Sequence, residues 1–182
     1  MDTANLGYCG INCDSCSVRQ HGLGHSNDAF IACCASIPTA ELKCNGCRFD
    51  SVYAGCRTCK IRSCASARKV SHCGECHDFP CRQYQKWGAA AKILPHVRGA
   101  RKNLATVMRD GTQAWARSEQ SRWSCRTCGT PFSWYSAGCE KCGADLTQDA
   151  YALTGLRRFL CRIILPKVYQ KGRQVGDPSN QA

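Results

Sequence analysis

The spacing of the cysteines is the feature of this chain that can do chemistry. Eighteen cysteines occur in 182 residues, and most are two to four residues apart. A Cys-x-x-Cys pair on a tight turn directs two sulfur atoms at one point about 2.3 Å away, as a zinc ion requires. We therefore predict a metal-binding protein with fifteen candidate ligands. These are Cys9, Cys13, Cys16, Cys44, Cys47, Cys56, Cys59, Cys64, Cys73, Cys76, Cys81, Cys125, Cys128, Cys139 and Cys142.

A disulfide framework of the kind found in small secreted domains is the alternative use for so many cysteines. Residues 1–8 lack the basic head and the apolar segment of a secretory signal. No stretch approaches the roughly 20 apolar residues of a membrane span. We therefore favour metal sites over disulfides and expect the protein in the reducing cytoplasm.

The last cysteine group is the most specific motif, because it joins two Cys-x-x-Cys pairs by a ten-residue spacer. Gly129 and Gly143 follow the second cysteine of each pair. Glycine tolerates positive φ there, which lets backbone amides turn toward the sulfurs. We predict a β-hairpin zinc ribbon over residues 122–145, with a closed zinc site that is structural rather than catalytic.

The grouping of the cysteines in residues 1–81 stays open at this stage. One zinc could be held by Cys44, Cys47, Cys56 and Cys59, and a second group could be Cys64, Cys73, Cys76 and Cys81. The first triplet, Cys9, Cys13 and Cys16, could take its fourth ligand from the second group, from His72 or His77, or from solvent. Zinc and an iron–sulfur cluster are both possible, since thiolates bind either and spacing does not separate them.

Four motifs in residues 8–81 follow one another in a characteristic order: YCGINCDSC, KCNGCR, CRTCKIRSCA and HCGECHDFPC. This order resembles domain-of-unknown-function family 3795, a group of small prokaryotic cysteine-rich proteins, over about residues 5–85. The resemblance implies a metal-rich domain and brings no established activity with it.

Helix signals and composition divide the chain into five segments. They are a cysteine-rich metal-binding domain of short helices and metal knuckles at 1–81, a helical segment at 82–121, the ribbon at 122–145, a basic amphipathic helix at 146–170 and a disordered tail at 171–182. Individual helices are predicted at 28–34, 63–70, 82–94, 96–109 and 112–121. The fold class expected from these segments is a small, metal-stabilised α+β structure.

The C-terminal helix is predicted over about residues 147–165, opened by a capping box that begins at Asp145 and stopped by Pro166. Its apolar stripe should pack on the rest of the chain. The stripe consists of Leu153, Leu156, Leu160 and Ile164, and the face expected in water carries Arg157, Arg158 and Arg162. A competing prediction places this basic helix on an anionic membrane surface.

The formal net charge of +12 is concentrated outside the cysteine motifs, with +7 in residues 82–123 and +5 in residues 151–182. This pattern allows a protein partner and gives weak support to nucleic acid. Two functions follow: a zinc-binding interaction module, or an iron–sulfur protein for redox or sulfur chemistry. A hydrolase or transferase has less support, because the sequence contains no HExxH motif.

Overall fold

The fold is helical, and the expected α+β class is wrong. The computed structural model describes residues 5–175, and within that range it contains helices, turns and three isolated β-bridges but no strand. The bridges join Leu6 to Asn12, Ser124 to Pro131, and Gly138 to Asp145. Each is a single pair, so the predicted β-hairpin does not form. Residues 176–182, the end of the predicted tail, lie outside the described range.

Seven α-helices in this range are joined by short 3-10 turns. The α-helices are α1 (Ser17–Gly22), α2 (Ala54–Arg57), α3 (Lys60–Ala67), α4 (Arg82–Gly88), α5 (Gly99–Asp110), α6 (Thr112–Arg122) and α7 (Gly155–Val175). The 3-10 helices are Ile31–Cys34, Thr39–Glu41, Cys73–Glu75, Ala89–Lys92 and Pro95–Arg98. No helix in the described part of the chain is long and apolar enough to cross a membrane.

Several helices start directly after a cysteine. Cys16, Cys59 and Cys81 occupy the extended position that precedes α1, α3 and α4. The chain therefore enters each helix from a candidate metal ligand. The helices that were predicted at 63–70 and 82–94 are present but shifted or shortened, since α3 begins at Lys60 and α4 gives way to a 3-10 turn after Gly88. The predicted helix at 28–34 is reduced to a 3-10 turn.

One hydrophobic core joins the N-terminal and C-terminal parts of the chain. Its aromatic members pack across long sequence distances: the rings of Phe30 and Tyr135 stack with centroids 5.9 Å apart, and those of Tyr53 and Tyr169 are 6.2 Å apart. His96 stacks on Trp134 at 4.1 Å. The apolar residues around the last cysteine group are therefore part of the main core.

A buried carboxyl group also links the two parts. Asp28 accepts hydrogen bonds from the hydroxyl groups of Ser17, at 2.5 Å, and of Ser133. Its other oxygen accepts the backbone N–H groups of Phe30 and Ile31 at 2.9 and 3.0 Å. These four bonds satisfy a polar group that would be costly to bury alone. The partner at residue 133 lies 105 positions away in the sequence.

The C-terminal helix differs from its prediction at both ends. The carboxyl group of Asp145 accepts the backbone N–H of Thr147 at 2.8 Å, which closes a local turn instead of opening a helix. The helix begins at Gly155 and continues through Pro166 to Val175. Residues 171–175 are thus helical, although the sequence predicted a disordered tail there.

Packing explains why α7 continues past its proline. A proline inside a helix costs about 3 kcal/mol, because it removes one backbone hydrogen bond and crowds the preceding turn. Beyond Pro166, Tyr169 and Gly172 are buried against α2, and the Tyr169 hydroxyl donates to Glu41. The buried face of α7 consists of Cys161, Leu165, Tyr169 and Gly172. Of the predicted stripe, Leu153 is buried and Leu160 and Ile164 are half-buried, but Leu156 is 71% exposed, so the stripe is wrong at that position.

Candidate metal centres

The last cysteine group forms a compact set of ligands. The sulfur atoms of Cys125, Cys128, Cys139 and Cys142, here called the cysteine tetrad, all lie within 4.8 Å of one another. The closest sulfur pairs are 3.6 Å apart. A tetrahedral zinc site with Zn–S bonds of about 2.3 Å requires sulfur atoms about 3.8 Å apart. The tetrad can therefore hold a metal ion.

Two equivalent turns position these sulfurs. In the first, the N–H of Gly129 donates to the carbonyl of Cys125 at 2.8 Å, and in the second Gly143 donates to Cys139 at the same distance. Gly129 and Gly143 both have a φ of 72°, which a side chain would disfavour. The glycine signal in the sequence thus identified both turns.

The spacer between the turns does not form a hairpin because its backbone bonds to other segments. The N–H of Trp134 donates to the carbonyl of Ser15 at 3.1 Å, and the carbonyl of Trp134 accepts the N–H of Tyr151 at 2.7 Å. Each cross-turn pairing is therefore limited to a single bridge. Tertiary contacts have replaced the hydrogen bonds that a β-ladder would use.

The environment of the tetrad favours the thiolate form, which metals bind, at two of its sulfurs. Hydrogen bonding to Thr130 lowers the pKa of Cys128 to about 6. The backbone N–H groups of Cys128 and Thr127 lower the pKa of Cys125. At Cys142 the backbone N–H of Ala144 lowers the pKa, but hydrogen bonds to neighbouring tetrad sulfurs and burial raise it to about 12. Because a metal competes with protons for these sulfurs, a lower pKa makes binding at neutral pH easier.

The first triplet is divided between two neighbourhoods. The sulfurs of Cys13 and Cys47 share a hydrogen bond, which lowers the pKa of Cys47 to about 6, with a further contribution from the backbone N–H of Tyr8 at 3.4 Å. Gly7 lies beside both sulfurs, since a Cβ there would be 3.5 and 3.7 Å from them. Burial raises the pKa of Cys9, and the nearby Cys47 thiolate raises it further.

Cys16, the third member of the triplet, has different cysteine neighbours from Cys9 and Cys13. Burial raises the pKa of Cys16 to about 12, and the nearby Cys44 adds to that rise. Burial also raises the pKa of Cys56, and Cys44, Cys16, Cys59 and Cys47 raise it further. The other three members of the first predicted group are thus all close to Cys56, and their binding of one metal ion stays a prediction.

Four further N-terminal cysteines line a cavity of about 40 Å³. Its walls include Cys64, Cys73, Cys76 and Cys81, together with Arg68 and Asp78; we call it the cysteine cavity. One water molecule needs roughly 10–15 Å³ of such space, so the cavity is larger than a single small ligand requires. This set of four matches the second predicted group.

Sulfur spacing separates the tetrad from the N-terminal cysteines. Within residues 5–175, the tetrad is the one set of three or more cysteines whose sulfurs all lie within 4.8 Å of one another. The N-terminal cysteines are buried or half-buried except for the exposed Cys56, and no three of their sulfurs lie within 4.8 Å of one another. Thiolates that bind different iron atoms of one cluster stand further apart than thiolates that share one ion.

The two histidines that were considered as ligands have different surroundings. His72 is buried, its Nε2 lies 3.6 Å from Glu75, and its Nδ1 has no hydrogen-bond partner within the described chain. His77 is exposed and lies with Cys76 and Asp78 in a second group whose ligand atoms fall within 4.8 Å.

Two supporting residues have no signal in the sequence. Arg68 donates to the sulfur of Cys76 at 3.1 Å and to Asp78 at 2.6 Å. Asn103 on α5 donates to the carbonyl of Gly10 at 2.9 Å. Arg68 contacts a cysteine eight residues later in the chain, and Asn103 contacts a cysteine motif 93 residues earlier. Neither contact follows from the spacing of the cysteines.

The family comparison agrees with the cysteine pattern. Residues 5–86 match the sequence model of a family described as "Protein of unknown function (DUF3795)". This confirms the predicted resemblance, and the DUF3795 region (residues 5–86) contains every candidate ligand outside the tetrad. No curated protein and no solved structure matches the chain.

Proposed function

We propose that the DUF3795 region binds iron–sulfur clusters and transfers electrons, while the cysteine tetrad holds a structural zinc ion. The observation that supports this division is the contrast in sulfur spacing between the tetrad and the N-terminal cysteines. A closed four-thiolate zinc site stabilises a fold but has no open position for chemistry. An iron–sulfur cluster would supply one-electron transfer.

The cysteine cavity is the strongest candidate for one cluster. Four cysteines line this cavity of about 40 Å³, and four cysteines are the usual ligand set of a four-iron cluster. Burial raises the pKa of Cys73 to about 12, and the surrounding cysteines add to that effect. A positively charged cluster core would remove this mutual repulsion.

The split triplet supports a second cluster or ion deeper in the DUF3795 region. Cys9 and Cys13 approach Cys47, whereas Cys16 approaches Cys44 and Cys56. All eighteen cysteines of the chain are unbridged, which suits a reducing compartment, and we propose the cytoplasm on that ground.

Zinc in the DUF3795 region is the second candidate. The observation in its favour is the compact group formed by Cys76, His77 and Asp78. In that case the chain would be a zinc-binding module for a protein partner. Both Cys76 and Asp78 already receive hydrogen bonds from Arg68, which competes with metal binding at this group.

Metal analysis of the full chain, purified without oxygen, tests the proposal. We expect brown protein that contains iron, acid-labile sulfide and one zinc ion per chain. A Cys73→Ser variant should lose the iron and the visible absorbance of the cluster in the cysteine cavity while retaining zinc. Cys33→Ala is the matched control, because Cys33 is buried near Arg158 and outside the ligand groups; it should retain both metals. Colourless protein with several zinc ions would reject the iron–sulfur proposal.

Replacing Arg68 by glutamine is expected to lower the reduction potential of the cluster in the cysteine cavity. Arg68 places a positive charge and an N–H donor 3.1 Å from the sulfur of Cys76, and hydrogen bonds to the sulfurs help set cluster potentials. The reduction equilibrium should change at least about tenfold, or about 59 mV for one electron. A redox titration followed by visible absorbance measures this shift.

Arg82→Gln provides the matched charge control for that titration. Arg82 is exposed and follows the cavity residue Cys81 directly, so the variant removes one positive charge at the same end of the cavity. Its shift should be smaller than that of Arg68→Gln. Equal shifts in the two variants would show that the hydrogen bond to Cys76 has no special effect.

A further inference from the structure

The outward face of α7 carries an unexpected row of apolar side chains. Leu156, Phe159 and Ile163 are 71%, 59% and 41% exposed. Their spacing of three and four residues places them on one stripe of the helix. This stripe points away from the face that is buried on the body of the protein, which is formed by Cys161, Leu165, Tyr169 and Gly172. The helix is therefore apolar on two sides.

Basic residues flank the exposed stripe. Arg162 lies three residues after Phe159, and Lys167 lies four residues after Ile163, so each is a neighbour of the stripe on the helix surface. Both are exposed. The 21-residue helix contains six basic residues and no acidic residue. Its charge is thus complementary to a negatively charged surface.

We propose that this face of α7 binds the surface of membranes that contain anionic lipids. Exposed leucine and phenylalanine side chains beside lysine and arginine are the composition of helices that lie in the lipid interface. The three exposed apolar side chains project from a single helix. A fluid lipid surface can close around such side chains, whereas a folded protein would need a groove shaped to receive them.

The contact should be weak and reversible. Three apolar side chains bury far less apolar area in the lipid than a membrane-spanning helix does. The electrostatic attraction between the basic residues and the anionic lipids acts only within a screening length of about 8 Å at physiological salt. The opposite face of α7 stays packed on α2 during binding, so the protein need not unfold. Binding of this kind is independent of the metal content proposed for the DUF3795 region.

Vesicle flotation with the full metal-loaded chain tests the proposal. The probes are vesicles of phosphatidylcholine alone and vesicles in which about one third of the lipid is phosphatidylglycerol, a composition that supplies the negative surface potential. We expect the protein to float with the anionic vesicles at low salt and to dissociate from them at high salt. With the neutral vesicles it should remain unbound in the bottom fraction. Absence from the anionic vesicles at low salt would overturn the proposal.

Variants separate insertion from simple charge attraction. The double variant Leu156→Ser with Phe159→Ser should bind anionic vesicles at least about fivefold more weakly, with an unchanged melting temperature, because both side chains are exposed. Leu23→Ser is the matched control, since Leu23 is 56% exposed outside α7, and it should bind like the parent chain. Lys167→Glu should also weaken binding.

One pattern of results would assign the face to a different partner. If the double variant binds vesicles as well as the parent chain while Lys167→Glu does not, the helix attracts polyanions in general and the lipid proposal fails. A heparin column measures attraction to polyanions alone, and the parent chain and the double variant should be retained on it to the same extent. Stronger vesicle binding by the parent chain at equal heparin retention would support lipid insertion.

Discussion

Replacing Cys139 by serine is expected to remove the zinc ion of the tetrad and to lower the melting temperature by at least about 10 °C. Structural zinc sites bind with about 10–16 kcal/mol in small peptides, and a loss of 1 kcal/mol corresponds to roughly 2–4 °C for a chain of this size. Cys139 is itself part of the main core. Loss of the zinc ion should therefore also weaken the packing of the aromatic residues around the tetrad.

Zinc content and thermal unfolding of the same preparation measure this effect. Cys161→Ala is the matched control, because Cys161 is buried in the same core and belongs to none of the ligand groups. The Cys161→Ala variant should retain the zinc ion and lower the melting temperature only slightly. A Cys139→Ser protein that keeps one zinc ion and melts like the parent chain would show that the tetrad is not the structural site.

Gly172→Ala is expected to destabilise the protein by about 3–5 kcal/mol, an effect typical of a severe core clash. A Cβ at this position would lie 1.7 Å from the carbonyl oxygen of Ala54 and 2.5 Å from its carbon. Both obstacles are backbone atoms and cannot move aside like a flexible side chain. Alanine at residue 172 would therefore separate α7 from α2.

Denaturant unfolding compares this variant with Gly88→Ala. Gly88 ends α4, has a φ of −58° and has no atom within 4 Å of the Cβ that alanine would add. That substitution should be neutral or stabilise by up to about 1 kcal/mol, since alanine restricts the unfolded chain. If Gly172→Ala unfolds at the same denaturant concentration as Gly88→Ala, the close approach of α7 and α2 is not present in solution.

Local sequence signals predicted the elements that depend on local contacts. The predicted helix at 112–121 corresponds closely to α6, because Gly111 adopts the positive φ that separates it from α5. The tetrad was also predicted as a ligand set, since its two turns are close in sequence and each contains its own glycine. The β-hairpin between them was wrong, because the spacer bonds to Ser15 and Tyr151 instead.

Features set by distant contacts could not be predicted from spacing. The division of the first cysteine triplet depends on how its loop packs on α5, where a Cβ at Gly10 would lie 2.2 Å from the carbonyl oxygen of Ala100. The continuation of α7 through Pro166 depends on its contact with α2. In both cases the helix that makes the contact is far away in the sequence, and no local sequence pattern predicts that contact.

The buried carboxyl group of Asp28 has a consequence for synthesis of the chain on the ribosome. Asp28 emerges early, but Ser133, one of its two hydroxyl partners, is made 105 residues later. At about 5–20 residues per second this interval lasts roughly 5–20 s. During that time Asp28 and the nascent DUF3795 region lack the surface that covers them in the finished fold. The cysteines of the nascent segment are thus open to metal delivery before the C-terminal half closes over them.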